Sequence, residues 1–402
     1  MLHDVHTCNE WRIAVSVRKR SWIAPDGEHK EAWIVDYRDQ HGDRHIKTFA
    51  RKKDADAYHA KVTVDVRAGT HTPESSSITI AAAGQLWLDR ADRVGLERAT
   101  AEQYRQHLEL HIAPLIGEVK LGQFALPMVR AFEDRLAKDR SPAMVRKVMR
   151  SLGSIVADAQ ERGLVAQNVV RNLSRGRQSG GEARADRRRR SKLKVGVDIP
   201  TPAEISAIIT HLTDRRRPML LTAIFTGLRS SELRGLRWGD IDLKKGELHV
   251  RQRADRYRQM GHPKSAAGER TIPMPPMLIN TLREWKLACP KSERDLAFAN
   301  GRGNPDDWKE IVHDSYRPAQ VAAGVVNAKG RAKYGGLHAL RHFYASWCIN
   351  RKVDGGLELP LKVVQEHMGH SSITMTADRY GHLFPRGDDR AELAAAEKVL
   401  MS

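Results

Sequence analysis

Arg229, Lys264, His338, Arg341, His370 and Tyr380, in that order along the chain, are residue types that can break a phosphodiester without a metal ion. Cleavage by in-line displacement sets three needs. The negative oxygens must be neutralised, the nucleophile must lose a proton, and the departing oxygen must gain one. Two guanidiniums can hold the two non-bridging phosphate oxygens through bidentate hydrogen bonds. Histidine and lysine can move the protons. A tyrosine oxygen can attack and retain the bond energy as a phosphotyrosine, so that a broken strand can later be rejoined without ATP.

The local wording around these residues is more specific than their types. Arg229 lies in T-G-L-R-S-S-E-L (Thr226 to Leu233), with Glu232 three residues on. Arg341 follows His338 at i+3 in H-A-L-R-H, so both share one face if that segment is helical. Lys264 lies in H-P-K-S-A-A-G-E-R-T-I-P, a turn between strands; Lys244 and Lys245 are alternative donors on a neighbouring turn. Each piece alone is ordinary: an arginine after T-G-L is commonly a surface residue, a single histidine a structural one, a single tyrosine part of a core. His338 with His342, or His367 with His370, have spacings that suit a metal pair, but there is no H-E-x-x-H and no obvious third ligand. Neither a metal nor a nucleotide cofactor is expected.

These side chains need a scaffold. Thr201-Pro202-Ala203-Glu204 is a capping box with proline at the first helical position, and helical patterns run to about 237. Ile241 to Val250 reads as a hairpin around Lys245-Gly246, with a third short strand near Arg270 to Met274 and helices thereafter. Upstream, 77–173 reads as all-helical. Ile80, Ala83, Trp87 and Leu88 form one stripe, and Thr100 with Gln103 is expected to cap a helix before Tyr104. Pro114 and Gly117 are expected to break the chain. Val129, Phe132 and Leu136 mark a third helix, and Ser141-Pro142 opens a fourth, through Val145, Val148, Leu152 and Ile155, that Gly163 ends. The first 70 residues read as strands and one helix: Ile13 to Val17, a hairpin of Trp33 to Arg38 with Arg44 to Phe49, then Ala55, Tyr58 and Val62 at helical spacing, with Gly69 as the stop.

The chain has 402 residues, a net charge of +19 and a sequence pI of about 10.0. That balance favours a polyanionic partner. A membrane is the weaker choice, since no apolar run approaches the roughly 18 residues that span a bilayer, and Met219 to Phe225 is among the longest. The start of the chain has no apolar signal-peptide core. Cys8, Cys289 and Cys348 are odd in number and far apart, which fits a reducing cytoplasm rather than a disulfide framework. The stretch 174–197 holds nine Arg or Lys against two acids and reads as a linker. A flexible basic strap of this kind has a duplex backbone to follow, although such a run can also be a solvated charge tract.

Taken together, T-G-L-R-x-x-E-L, a lysine in a strand turn, H-x-L-R-H-x-x-A-S and G-H-S-S-I-x-M-T-x-D-R-Y-G-H resemble the boxes of the tyrosine recombinases, specifically the phage-type integrases, over about 200–385. Two departures are mild. Met368 stands where leucine is commoner, and Ala339 where H-D-L-R is frequent. The resemblance implies a multidomain fold: a small β-sheet-plus-helix N-terminal domain, an all-α core-binding domain of SAM-like type, and a mainly α catalytic domain with a small antiparallel sheet. The expected division is an arm-type DNA-binding domain over 1–72, the core-binding domain over 77–173, the basic linker over 174–199, and the catalytic domain with its C-terminal tail over 200–402.

It also implies roles. Tyr380 is the nucleophile, Arg229 and Arg341 clamp the phosphate, and Lys264 is the general acid for the 5′ oxygen. His338 assists proton transfer from the tyrosine, His370 hydrogen-bonds a phosphate oxygen, and Glu232 orients the first arginine. Contacts to the DNA backbone are expected from Arg18, Lys19 and Arg20, from Arg146, Lys147 and Arg150, and from Arg187, Arg188, Arg189 and Arg190. The implied function is site-specific DNA recombination in the cytoplasm, integrating or excising a phage or other mobile element. The expected partners are double-stranded attachment sites, a homotetramer closed by the C-terminal tail, and a directionality factor or host DNA-bending protein. The competing expectations are a type IB-like topoisomerase and a DNA-binding regulator that does not cut.

Overall fold

A computed structural model describes residues 16–23, 25, 27–39, 42–67, 71, 73, 77–173, 192–384 and 389–401. The chain divides into two compact units, 1–179 and 180–402. The sequence-expected arm-type and helical modules both fall in the first unit, where each has its own core. Arg187, Arg188, Arg189, Arg190, Cys8 and Gly69 lie outside the described residues.

The first core is a three-stranded antiparallel sheet, β1 (Ser16–Ile23), β2 (His29–Arg38) and β3 (Arg44–Phe49), with helix α1 (Lys52–Arg67) on one face. Val35 and Tyr37 of β2 pack with Ala55, Val62 and Val66 of α1. The expected hairpin is present, with Arg38 opposite Arg44 and Trp33 opposite Phe49. The first strand differs from expectation. It runs through the basic triplet instead of ending before it, from Ser16 opposite Asp36 to Ile23 opposite His29. The reason is electrostatic as well as geometric: the long β2 supplies acids across the pair, Glu31 to Lys19 at 2.7 Å and Asp36 to Arg18 at 3.3 Å.

The second core is helical: α2 (Ile80–Arg93), α3 (Arg98–His107), α4 (Ala113–Ile116), α5 (Leu126–Asp139) and α6 (Pro142–Glu161). The predicted stripes of α2, α5 and α6 are buried. Ser141 caps α6 by accepting from the Met144 amide at 3.3 Å. The Thr100 capping box does not form. The left-handed turn at Gly95 (φ +69°) releases the chain early, so α3 begins at Arg98 with Glu97 before it and Thr100 already inside the first turn. Pro114 does not break the helix either. A wide π-turn at Leu108–Ile112, in which the Ala113 amide donates to the Leu108 carbonyl, makes room for a proline that cannot donate.

The second unit begins with α7 (Pro202–Thr210), whose capping box has both halves: Glu204 N–H to Thr201 Oγ1 at 3.2 Å and Thr201 N–H to Glu204 Oε2 at 2.8 Å. Helix α8 (Arg217–Thr226) is buried almost all round and packs against a later helix, His338–Ile349. Short α9 (Ser230–Arg234) leads to β4 (Ile241–Asp242) and β5 (Glu247–Val250), the expected hairpin, closed at Gly246 with φ +71°. A two-stranded ribbon follows, β6 (Arg253–Ala254) with β7 (Met260–Gly261), which was not expected. Strand β8 (Arg270–Pro273) completes the order β4-β5-β8. Then come α10 (Pro276–Ala288), α11 (Trp308–Glu310), a π-turn at Ile311–Tyr316, α12 (Arg317–Ala322), α13 (His338–Ile349), α14 (Leu361–Met368), α15 (Ile373–Tyr380) and α16 (Asp389–Leu400). No helix among the described residues is long and apolar enough to cross a membrane.

Candidate active site

Five of the six expected catalytic side chains sit on or beside four elements that meet in the second unit. Arg229 is at the start of α9, His338 and Arg341 are on α13, His370 follows α14 and Tyr380 ends α15.

The two arginines are held by one helix end. Nη2 of Arg229 donates to the Gly369 carbonyl at 3.0 Å, and Nη2 of Arg341 donates to the adjacent Met368 carbonyl. These carbonyls have no partner within α14 and lie at its C-terminus, where the helix dipole is negative and cations are favoured. Arg341 also donates to the Gly227 carbonyl at 2.6 Å. Two glycines make this possible. Gly369 ends α14 at φ +58°, and a Cβ there would sit 2.8 Å from Nη1 of Arg270 and 3.0 Å from the Ala267 carbonyl. Gly227 ends α8 at φ +60° against the ring of Tyr344, with no space for a side chain. Hence the glycines of T-G-L-R and M-G-H are geometric requirements of the arginine pair.

Glu232 is the hub beneath them. Its carboxylate accepts from Arg229 Nη1 at 2.7 Å and the Arg229 amide at 2.8 Å, and from Arg270 at 3.2 and 2.8 Å. Burial pushes Glu232 up, but the charge and hydrogen bonds of Arg270, with Arg229 and Arg341, prevail and bring it to about 2. Glu232 is therefore ionised at neutral pH and offsets part of the positive charge gathered here. Arg270 also donates to the His367 carbonyl at 2.7 Å. Burial, then repulsion by Arg229, lowers Arg341 to about 9, so it remains cationic at neutral pH.

Tyr380 is 2% exposed. Its hydroxyl meets Nδ1 of His342 at 2.7 Å. The rings of His342 and His338 are edge to face at 4.4 Å between centroids, and the His370 ring lies parallel to Tyr380 at 6.3 Å. Burial raises Tyr380 to about 12, offset only in part by Arg341, Arg379 and Arg229. Burial, then the neighbouring His338 and the cations Arg379 and Arg341, lowers His342 to about 3. Burial and the arginines lower His370 to about 4. Both imidazoles are thus neutral at pH 7, so each keeps a lone pair that can take a proton. Nδ1 of His370 pairs with the hydroxyl of Thr376 at 2.9 Å, which fixes the ring.

Lys264 lies in the turn between β7 and β8 and is exposed. Arg146, Lys147 and Arg150 are exposed on α6, on the side away from Val145, Val148 and Leu152. In the N-terminal sheet, alternation puts Arg18 and Arg20 with Arg38 and Arg44 on the face opposite α1, whereas Lys19 is on the same face as Trp33.

Two members of the site were not among the expected residues. His342 lies four residues after His338 on the same helix, so its spacing was legible. Arg270 carries a weaker signal, an arginine at the same pleat parity as Ile272 in β8. No cluster among the described residues could hold a metal ion.

The chain matches the phage integrase family over residues 200–386. It is 30% identical to the tyrosine recombinase XerC of Corynebacterium efficiens, over 72% of this chain and 83% of that protein. A XerC-like tyrosine recombinase of Caldanaerobacter subterraneus is 26% identical over 92% of this chain and 96% of its own length. Among solved structures, the Tn1549 transposon integrase in complex with a circular intermediate DNA matches with a TM-score of 0.59 at 18% identity, over 80% of this chain and 100% of that one. A lambda integrase dimer bound to a core site matches with a TM-score of 0.55 at 18% identity, over 89% and 93%. The shared fold, the two arginines gathered at one helix end beside a buried tyrosine, and the likeness to XerC along most of its length agree: this chain belongs to the tyrosine recombinases of the phage integrase family, the site-specific recombinases that cut and rejoin DNA through a tyrosine.

Proposed function

We propose that Tyr380 is the nucleophile of an integrase acting on paired attachment sites of a mobile element. Its oxygen attacks the scissile phosphorus and forms a 3′-phosphotyrosine as the 5′ oxygen departs. Arg229 and Arg341 hold the non-bridging oxygens, Lys264 protonates the leaving oxygen, and His370 donates to the phosphate. His338 and His342 share the tyrosine proton. The observation that carries this reading is the meeting of the Tyr380 hydroxyl with a neutral imidazole beside two guanidiniums already held by backbone carbonyls. Holding them in advance avoids reorganisation during the reaction.

The exposed cations Arg146, Lys147 and Arg150 on α6, and the face of the N-terminal sheet bearing Arg18 and Arg20, serve as backbone contacts to two stretches of DNA. The lambda integrase structures include a tetramer bound to a Holliday junction. For this chain the corresponding assembly is a tetramer joined by α16, with a directionality or DNA-bending factor selecting the direction. Trapping of a covalent adduct on a nicked suicide duplex tests the chemistry, and a two-site recombination assay separates a recombinase from a relaxing enzyme.

A further inference from the structure

Nε2 of His382 meets the Leu193 carbonyl at 2.7 Å, across 189 residues of chain. His382 lies two residues past Tyr380, in the single 3₁₀ turn Gly381–Leu383 that follows α15. Leu193 is where the chain enters the catalytic unit from the basic linker. For the bond to form, His382 must carry its proton on Nε2, because a carbonyl only accepts.

Leu193 is a fixed post. The residues after it bond to one another: the Lys194 amide donates to Asp198 Oδ2 at 2.9 Å, the Asp198 amide to the Lys194 carbonyl at 2.8 Å, and the Gly196 amide to the Ile199 carbonyl at 2.7 Å. Ile199 is fully buried, and the capping box of α7 starts two residues later. Leu193, Leu383 and Phe384 all pack against the same core. Tyr380 departs from helical geometry (φ −125°, ψ −8°), and the turn after it keeps a bond back to α15 through the Gly381 amide, which donates to the Ala377 carbonyl. The bond across 189 residues is what ties that turn to the segment through which the chain enters the unit.

We propose that His382 is a positioning residue: by binding the fixed Leu193 carbonyl it sets where the Tyr380 oxygen sits. The proposal rests on Tyr380 being the nucleophile. A nucleophile must be held to within fractions of an ångström, so a loosened turn costs rate without costing DNA contacts.

The test is single-turnover adduct formation at saturating suicide duplex, beside DNA affinity and Tm. His382→Ala is expected to slow adduct formation about tenfold, the scale of one lost hydrogen bond, while affinity stays within about twofold. His382→Gln, whose amide can donate, is expected to recover most of the rate. Leu193→Ala, which keeps the accepting carbonyl but removes the packing that seats it, should slow the reaction less, and the double variant should be no slower than His382→Ala, because the packing acts through the same bond. Wild-type rates in His382→Ala overturn the proposal, as do additive defects in the double variant or a rate loss matched by an equal loss of DNA affinity. Failure of the Tyr380 assignment reads out separately, as adduct persisting in Tyr380→Phe.

Discussion

The hydroxyl of Tyr380 and Nδ1 of His342 are 2.7 Å apart inside the protein, with the tyrosine almost wholly out of solvent. A neutral imidazole and a phenol with a raised pKa form a stable resting pair.

Tyr380→Phe removes only the hydroxyl oxygen, the proposed nucleophile. Covalent adduct should vanish while DNA affinity stays within a few fold. The variant also leaves Nδ1 of His342 without its partner, so a stability loss of about 1–3 kcal/mol is expected in denaturant unfolding. Adduct formed by the Phe variant would remove Tyr380 from this role.

If Lys264 protonates the leaving oxygen, Lys264→Ala should be slow on ordinary DNA and near wild type on DNA with sulfur at the bridging 5′ position, since a thiolate departs without a proton. Equal defects on both substrates would shift the role to Lys244 or Lys245.

Gly369→Ala places a methyl against Arg270 and the Ala267 carbonyl at a left-handed backbone position. A destabilisation of about 1–3 kcal/mol is expected, with a larger fractional loss of cleavage than of DNA binding, because the carbonyls of residues 368 and 369 orient both arginines. Unchanged single-turnover cleavage by a folded variant would show that this helix end does not set the clamp.

His342 and His370 have pKa values lowered to about 3 and about 4, below the 6.5 of a free imidazole. Between those values and 6.5 the unfolded chain binds more protons than the folded one, so stability falls as pH drops through this window. Unfolding free energies measured from pH 7 to pH 4 should decline, by about a few kcal/mol in total, and His342→Asn should flatten part of the slope. A pH-independent unfolding free energy would contradict the buried neutral histidines.

Every described side chain of α16 is exposed within the protomer, with Leu393 at 70% and Leu400 at 85%. In the proposed tetramer this exposed apolar side is where a neighbouring protomer docks. Deleting 388–402 should weaken synapsis of two sites and alter cleavage, with single-site binding retained. An unchanged synaptic complex on native gels would assign the helix no part in assembly.

The local devices of this protein are written in short stretches of sequence. The Ser141 cap, the Thr201–Glu204 box and the hairpin at Gly246 depend on neighbours within four residues, so spacing alone determined them. The candidate catalytic residues were legible for a related reason: they lie in short boxes whose wording resembles that of a known family. Where propensity met geometry, propensity yielded. A wide turn carried the helix across Pro114, and the Gly95 turn started α3 ahead of Thr100. The relationships across the chain were decided only by the tertiary structure. No local pattern says that Glu232 binds Arg270, that one helix end serves both Arg229 and Arg341, or that His342 rather than His338 reaches Tyr380. His338 and His342 are one helical turn apart on one face, and which of them meets the tyrosine depends on how α15 packs against α13.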